Sequence, residues 1–367
     1  MKVICNRDSL LEGIITAQKA VSTRTTLPIL QGILFDCRST ALRVTATDLE
    51  LGIECRIDAE ILEQGWVVLD SRLLGEIIRK LPAADVEITI DERNIARIKC
   101  MNSCFNIQGQ AGGEFPELNK VEGEKRMRLP QDLFRSMIRQ TVFACAVDET
   151  RPILTGALLE SSGNQLNMVA LDGFRLALRT VSIDKDADAI SAVIPSKTLN
   201  EIYKIYKDQQ DKVDVEFTGN QIMFSMGNTR VISRLLEGDF INYRQIIPEE
   251  YTTKVKVNTL DFLESCERAS LLAREGKNNL IKLKISEEKI EVMSNAEIGE
   301  VHEEINVVTE GKDIEIAFNS KYLIDVLKVI ESELITMEFT TNVSPCIIKP
   351  LDSEAYVYLL LPVRVIA

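Results

Sequence analysis

The chain has 367 residues, of which 45% are hydrophobic and 27% are charged, and its formal net charge at pH 7 is −13. This length predicts two or three domains, and the apolar fraction is typical of a packed globular protein rather than a disordered one. No apolar run reaches the roughly 18 residues of a membrane helix, and the N-terminus has no signal-peptide stretch. We therefore expect a cytoplasmic protein that makes no membrane contact.

The residues that most enzymes use for catalysis are scarce or scattered. His302 is the only histidine, and its acidic surroundings at 299–304 favour a solvent-exposed role over a catalytic one. Cys100 and Cys104 are the closest two of eight cysteines and have no histidine nearby, so we expect no metal site. The sequence also lacks phosphate-loop, dinucleotide and nucleophile-elbow motifs. We expect a binding protein without enzymatic activity or cofactor.

The apolar pattern predicts six helices and several strands. The helices are expected, in chain order, at residues 9–24, 71–81, 132–145, 196–207, 261–274 and 320–331. Strands are expected at residues 42–48, 86–90, 166–172, 213–217, 290–296 and 335–339. The order helix, strands, helix, strands suggests an α+β fold with helices on one face of an antiparallel sheet.

The second, fourth and sixth of these helices repeat one another. They begin at Ser71, Ser196 and Ser320, which are 125 and 124 residues apart, and each serine is a plausible N-cap. After each serine the apolar residues follow helical spacing, which predicts the same buried helix face in all three segments. These residues are Leu74, Ile77, Ile78 and Leu81, then Leu199, Ile202, Tyr203 and Tyr206, then Leu323, Val326, Leu327 and Ile330.

Other landmarks keep the same period. Pro28 and Gly32 recur 124 residues later as Pro152 and Gly156. A period of this length is the size of a domain, so it predicts a tandem triplication of an α+β domain with two helices on one face of an antiparallel sheet. The polar stretches between copies place the domains at residues 1–122, 123–250 and 251–367.

Each repeated helix carries a basic pair, seven residues apart, on the face opposite its apolar residues. The pairs are Arg72 with Arg79, Lys197 with Lys204, and Lys321 with Lys328. A cation in the first turn opposes the helix dipole at a cost of about 0.3–1 kcal/mol, so its repetition favours a function over a merely solvated face. The six helices sum to a charge of +5, although the third copy contributes little. This distribution predicts one polyanion-binding surface on an acidic protein.

The number of helices bears on the size of such a surface. Six helices at about 9 Å spacing would form a circle too narrow for a duplex once helix thickness is subtracted. Twelve helices, from two chains, would leave an opening of roughly 24 Å at the same spacing. The sequence therefore favours a two-fold symmetric dimer around DNA over a monomer.

Five segments, taken together with the triplication, resemble the bacterial DNA polymerase III beta subunits, the replicative sliding clamps. The segments lie at residues 26–30, 46–50, 172–177, 240–244 and 361–364. The resemblance implies a clamp fold in which each chain forms half of a closed ring, a head-to-tail homodimer that encircles duplex DNA without sequence preference. It also implies short-motif binding of the replicative polymerase alpha subunit, the clamp loader, repair polymerases and mismatch-repair proteins, and no enzymatic activity.

The resemblance places a peptide-binding cleft between the second and third copies. Its expected wall consists of Leu154, Leu171, Gly173, Phe174, Arg175, Leu176, Ile241, Ile246, Leu359, Leu361, Pro362, Val363 and Arg364. The apolar members would take Leu or Phe anchors of a partner, Arg175 and Arg364 would supply polar direction, and Gly173 would permit a tight turn. Leu171, Phe174 and Ile241 replace a usual Thr, His and Pro, which predicts a more apolar pocket than in many relatives.

Two further sets follow from the resemblance. The dimer contact is expected to join Phe105 and Ile107 of one chain to Leu271 and Leu272 of the other. Arg97 and Lys99 are expected near Glu297, Glu300, Glu303 or Glu304. The residues expected to face DNA phosphates are Arg24, Arg72, Arg79, Lys80, Arg135, Arg139, Lys197 and Lys204.

Several alternatives remain open on the sequence alone. Leu361 and Pro362 fit a plain terminal strand equally well, and the apolar interface residues fit ordinary core packing. A monomeric peptide-binding hub that never encloses DNA is the second hypothesis, and an enzyme with an unrecognised site is the third. The mass of the protein in solution distinguishes the first two, and turnover of a substrate identifies the third.

Overall fold

The structure, a computed structural model, describes residues 1–22, 25–118, 125–183, 189–206, 211–276 and 279–364. Within these ranges the chain forms six α-helices, two in each predicted copy, and all six overlap predicted helices. They are α1 (Arg7–Ala17), α2 (Ser71–Lys80), α3 (Gln131–Thr141), α4 (Ser196–Ile205), α5 (Thr259–Ala273) and α6 (Ser320–Leu327). Short 3₁₀ helices at Pro28–Gln31 and Pro152–Thr155 explain the repeated proline, which suits a first helical position.

The strands also follow the repeat. The first copy contains β1 (Lys2–Asn6), β2 (Gly32–Asp36), β3 (Leu42–Thr47), β4 (Leu51–Ile57), β5 (Ala59–Glu63), β6 (Trp66–Asp70), β7 (Asp85–Ile90), β8 (Ile95–Cys100), β9 (Ser103–Gln108) and β10 (Gln110–Ala111). The second contains β11 (Lys125–Pro130), β12 (Gly156–Ser162), β13 (Gln165–Leu171), β14 (Arg175–Ser182), β15 (Ser191–Pro195), β16 (Lys212–Phe217), β17 (Gln221–Met226) and β18 (Thr229–Arg234). The third contains β19 (Thr253–Asn258), β20 (Leu280–Ile285), β21 (Lys289–Ala296), β22 (Gly299–Asn306), β23 (Val308–Gly311), β24 (Ile314–Asn319), β25 (Leu334–Phe339), β26 (Cys346–Pro350) and β27 (Tyr356–Leu360).

Strand register confirms the 124-residue period. In the β2–β3 pair Leu34 lies opposite Thr45, and in β12–β13 Leu158 lies opposite Val169. The β20–β21 pair brings Lys282 opposite Met293, at the same positions of the repeat. Because a slip of one residue would turn every side chain to the other face, identical register means that the three copies share one arrangement of inward and outward positions.

The buried helix faces agree with the predicted pattern, but the caps do not. Of the twelve apolar positions predicted on α2, α4 and α6, all are buried except Tyr203, which is half-buried. The predicted serine caps are wrong: Ser71, Ser196 and Ser320 are the first helical residues. Asp70 and Asn319 cap α2 and α6 instead, because their side-chain oxygens accept backbone N–H bonds from Leu73 and Lys321.

The chain falls into two compact units. Unit 1 comprises Met1–Leu133 and Glu201–Leu235, and unit 2 comprises Phe134–Asn200 and Leu236–Ala367. Unit 1 holds a five-stranded sheet ordered β5-β1-β7-β8-β9 and a nine-stranded sheet ordered β10-β6-β2-β3-β4-β18-β17-β16-β11. In this unit α1 packs on α2 and on β3 and β4.

Unit 2 also holds two sheets. Its nine-stranded sheet is ordered β15-β12-β13-β14-β27-β26-β25-β19-β23, and its four-stranded sheet is ordered β22-β21-β20-β24, with α5 packed on α6 and β20–β22. All strand pairs are antiparallel, so the predicted α+β class is confirmed. Each nine-stranded sheet continues from one copy into the next, through β4–β18 and β14–β27, and this continuity explains why the units divide the central copy. The boundaries at 122 and 250 stay a prediction.

Candidate peptide-binding cleft and nucleic-acid surface

A tight turn between β13 and β14 presents Phe174, the most exposed large apolar side chain of the predicted cleft. The Asp172 carboxylate accepts hydrogen bonds from the backbone N–H groups of Phe174 (2.9 Å) and Arg175 (3.0 Å), which closes the turn. Gly173 has φ = +92°, a left-handed conformation that favours glycine, as its predicted turn role requires. The turn leaves Phe174 60% exposed, with its ring stacked on Tyr322 at a centroid distance of 6.4 Å.

Arg175 lies inside the protein, contrary to its predicted role of giving polar direction to a partner. Only 6% of it is exposed, and its guanidinium donates to Asp172 (3.0 Å), Asp325 on α6 (2.7 Å) and the Phe143 carbonyl (2.7 Å). Burial acts to lower the pKa of Arg175, but Tyr358 and the two carboxylates outweigh it and raise that pKa, so the side chain stays charged. Arg175 therefore fastens the turn to α6.

The predicted wall divides into a buried floor and an exposed rim. The floor belongs to one apolar cluster that also contains Tyr243 and Ile347, and its predicted members are Leu154, Leu171, Leu176 and Leu359. The rim is exposed at Phe174, Ile241, Ile246, Leu361 and Arg364, and half-buried at Pro362 and Val363. Exposed apolar residues that adjoin members of a buried apolar cluster along the chain suit the anchors of an extended peptide.

The segment after β27 lies beside the same turn. β27 ends at Leu360, so Leu361 and Pro362 do not continue it as a plain terminal strand. The Leu361 N–H donates to the Phe174 carbonyl at 2.9 Å, and the Val363 N–H donates to the Ala317 carbonyl at 2.8 Å. The first of these bonds brings the start of this segment next to the β13–β14 turn, and the second attaches Val363 to β24.

Sequence reasoning missed the groups that hold the cleft together. Tyr322 and Asp325 of α6 support Phe174 and Arg175, and Glu160 accepts hydrogen bonds from Tyr243 and Arg244. Tyr322 breaks no helical pattern, and Asp325 is 150 residues from its arginine, so neither carries a local signal. Glu160 and Tyr243 are 83 positions apart in the sequence, so that contact carries no local signal either.

Most of the predicted basic surface is exposed where the structure describes it. Arg72, Arg79, Lys80, Arg135, Lys197, Lys204, Lys321 and Lys328 are exposed, and Arg139 is half-buried. Several already bind acidic neighbours: Arg139 pairs with Glu331 at 2.7 Å, and Lys204 with Glu201 at 2.8 Å. Arg24 lies outside the described residues.

The predicted dimer residues lie on an edge strand and near the end of a helix, and all four are exposed or half-buried. Phe105 is exposed and Ile107 half-buried on β9, the edge strand of the five-stranded sheet in unit 1. In unit 2, Leu271 is 65% exposed and Leu272 half-buried near the end of α5. Edge strands present unpaired backbone groups that a second chain is able to bind.

Neither a metal-binding cluster nor a membrane-spanning helix occurs in the parts of the chain that the structure describes. His302 is exposed and lies 3.4 Å from Glu304, and Cys100 is buried while Cys104 is exposed. Among the described residues no group of three or more His, Cys, Asp or Glu is placed to hold a metal ion. Across the same ranges, no helix has the length and apolarity that a membrane span requires.

Comparisons with known proteins agree along the whole chain. The N-terminal, central and C-terminal domains of the DNA polymerase III beta subunit match residues 1–119, 128–242 and 244–364. The beta sliding clamp of Bacillus subtilis is 40% identical over 376 residues, covering 99% of this chain and 100% of that protein. Solved structures of the sliding clamp from Bacillus subtilis (39% identity, TM-score 0.96) and the beta subunit from Thermotoga maritima (31%, 0.92) each cover 100% of both chains.

Proposed function

The chain belongs to the family of DNA polymerase III beta subunits, the beta sliding clamps, and we propose that it is a processivity factor of DNA replication. Two copies close head to tail into a ring around duplex DNA. The ring slides along the duplex and tethers the replicative polymerase through the cleft described above. The protein acts by topology and binding, without catalysis or cofactor, in the cytoplasm.

The observation that carries this proposal is the exposure of all six residues of the repeated basic pairs. Lysine and arginine bind phosphates by charge, and such contacts carry no base information, which suits sliding on any sequence. The net charge of −13 repels DNA from other surfaces, so the basic helices define where DNA is accepted. The wider set proposed to face DNA is Arg24, Arg72, Arg79, Lys80, Arg135, Arg139, Lys197 and Lys204.

The dimer is proposed to form between the β9 edge of one chain and the acidic β22 region of the other. Phe105 and Ile107 supply apolar contact to Leu271 and Leu272. Arg97 and Lys99 are exposed on the neighbouring strand β8, on the other face of the sheet. Glu303 already binds Arg268, and Glu304 binds Lys289. The exposed Glu297 and Glu300 are therefore the better partners for those cations.

Partner proteins are proposed to bind one at a time through short peptides with Leu or Phe anchors. The candidates are the polymerase alpha subunit, the clamp loader, repair polymerases and mismatch-repair proteins. A cleft with an apolar floor and a rim of Phe174, Ile241, Ile246 and Leu361 accepts such anchors. Shared use of one cleft makes these partners competitors.

Topological retention tests the proposal. Protein loaded on closed circular DNA by its clamp loader is expected to resist removal at high salt, since a ring needs no phosphate contact to stay threaded. Cutting the circle once should release it. Equal retention on circular and linear DNA contradicts encirclement. Light scattering should give twice the 41.2 kDa of the chain, whereas a monomer that still binds peptide supports the hub hypothesis.

A further inference from the structure

Glu160 is a carboxylate at the border of the cleft's apolar floor. It lies on β12 two residues after the buried Leu158, and therefore on the same face of the sheet. Its side chain is 17% exposed, so most of its hydration is lost and hydrogen-bond donors must replace it. Its cross-strand neighbour is the neutral Asn167, whose amide lies 3.5 Å away.

The donors come from the segment that carries two rim residues of the cleft. The Tyr243 hydroxyl and the Arg244 guanidinium both donate to Oε1 of Glu160. Tyr243 begins a 3₁₀ helix that ends at Ile246, and Ile241 lies two residues before it. Only 3% of Tyr243 is exposed, and its ring belongs to the same cluster as Leu171 and Leu176.

The first copy of the repeat satisfies its corresponding acid differently. Asp36 lies 124 residues before Glu160 and binds Arg38 and Arg43, each at 2.9 Å, within its own hairpin. Burial opposes ionisation of Asp36, but these bonds outweigh it and hold its pKa below the usual value. An acidic residue at this position can therefore be neutralised by cations of its own hairpin, without a cation from another segment. In unit 2 the neutral Asn167 replaces Arg43, and the charge is met by Arg244.

We propose that Glu160 is a positioning residue for the peptide cleft, holding Tyr243 and Arg244 so that Ile241 and Ile246 stand ready to receive a partner. This inference rests on the proposed peptide binding. Hydrogen bonds to an ionised acceptor are roughly twice as strong as neutral ones, so the contact fixes the segment before a peptide arrives. Because the segment is already ordered in the free protein, peptide binding does not have to supply the free energy of ordering it.

Two variants test the positioning role against a labelled peptide that carries adjacent Leu and Phe anchors. Tyr243→Phe keeps the ring in the core and removes the hydroxyl, and we expect it to raise the peptide Kd about five- to tenfold, mainly through faster dissociation. Glu160→Gln keeps an accepting oxygen without the charge and should raise Kd about two- to fourfold. Because both substitutions act on one contact, the double variant should bind the peptide no more weakly than the weaker-binding single variant.

Glu338→Gln is the matched control. Glu338 is a similarly buried carboxylate of unit 2 that binds Lys254 and Lys349 on the sheet. Among the described residues, it makes no ion pair with the 241–247 segment. It should lower the melting temperature as Glu160→Gln does and leave Kd unchanged. If Tyr243→Phe and Glu160→Gln leave Kd within twofold of wild type, or if Glu338→Gln weakens binding equally, positioning is refuted while the cleft stands. Failure of the wild-type protein to bind the peptide rejects the cleft itself.

Discussion

The β3–β4 turn of unit 1 and the β13–β14 turn of unit 2 occupy the same place in two copies of one fold. Asp48 accepts from the N–H groups of Glu50 (3.0 Å) and Leu51 (2.7 Å), as Asp172 does in its own turn. The residue after each Asp has a positive φ, +79° at Leu49 and +92° at Gly173. The backbone of the turn is therefore preserved between the first and second copies.

The side chains on that backbone differ. Phe174, Arg175 and Leu176 correspond to Glu50, Leu51 and Gly52, so the first copy lacks the rim aromatic, the buried cation and the floor leucine. Leu118 fills the space above Gly52, since a Cβ placed there would lie 2.4 Å from its Cδ2. The comparison teaches that the cleft is a set of side-chain changes on a common turn, and that function resides in the site rather than in the fold.

Replacing Arg175 with leucine, the residue at the corresponding position of the β3–β4 turn, should have the largest effect on stability. Arg175→Leu leaves the carboxylates of Asp172 and Asp325 without their cation in a largely buried place. We expect the free energy of unfolding to fall by about 3–5 kcal/mol, measured by urea denaturation. Asp325→Asn in the same background should recover part of the loss, because it removes one unpaired charge.

Arg230→Leu is the control for this substitution. Arg230 is an exposed arginine of unit 1 that pairs with Glu54 at 3.8 Å, so its loss should cost less than about 1 kcal/mol. A similarly small cost for Arg175→Leu would mean that the buried ion pairs do not fasten the turn to α6. The two turns would then differ in the aromatic residue at the rim and the leucine of the floor, but not in how they are attached.

The sequence predicts those features of the two turns that depend on local patterns of residues. The three copies, the buried faces of α2, α4 and α6, and the glycine at 173 follow from periodicity and turn chemistry. The internal role of Arg175 does not, because its partner Asp325 is 150 residues away and a lone arginine beside a turn looks like a surface residue. At α2 and α6 the cap lies one residue before the predicted serine, because Asp70 and Asn319 compete with that serine for the cap position.

Replacing Phe174 with glutamate, which stands at the corresponding position 50 of the β3–β4 turn, should weaken peptide binding with little change in stability. Phe174→Glu removes the ring that stacks on Tyr322 and places an anion on an apolar rim. We expect the Kd for an anchor-bearing peptide, measured by fluorescence polarisation, to rise about tenfold. Since Phe174 is mostly exposed, the free energy of unfolding should change by less than about 0.5 kcal/mol.

The reverse exchange, Glu50→Phe, is the matched control. It should create no second peptide site, because Gly52 and Leu118 leave no floor for an anchor in unit 1. Unchanged affinity in Phe174→Glu would remove Phe174 from the rim. Peptide binding gained in unit 1 by Glu50→Phe would show that one aromatic residue suffices to make a cleft.

The smallest effect concerns the left-handed residue itself. Gly173→Ala introduces a Cβ that meets no atom within 4 Å, so the only cost is backbone strain, and we expect a loss of about 1 kcal/mol in thermal unfolding. Gly163→Ala, at φ = +61° and equally open, should cost the same without touching the cleft. Leu49→Gly relieves a similar strain but frees the unfolded chain and loses packing of a half-exposed leucine, so the net change should stay within about 0.5 kcal/mol. A gain well above that value would mean that Leu49 is held in its conformation by selection for something other than stability.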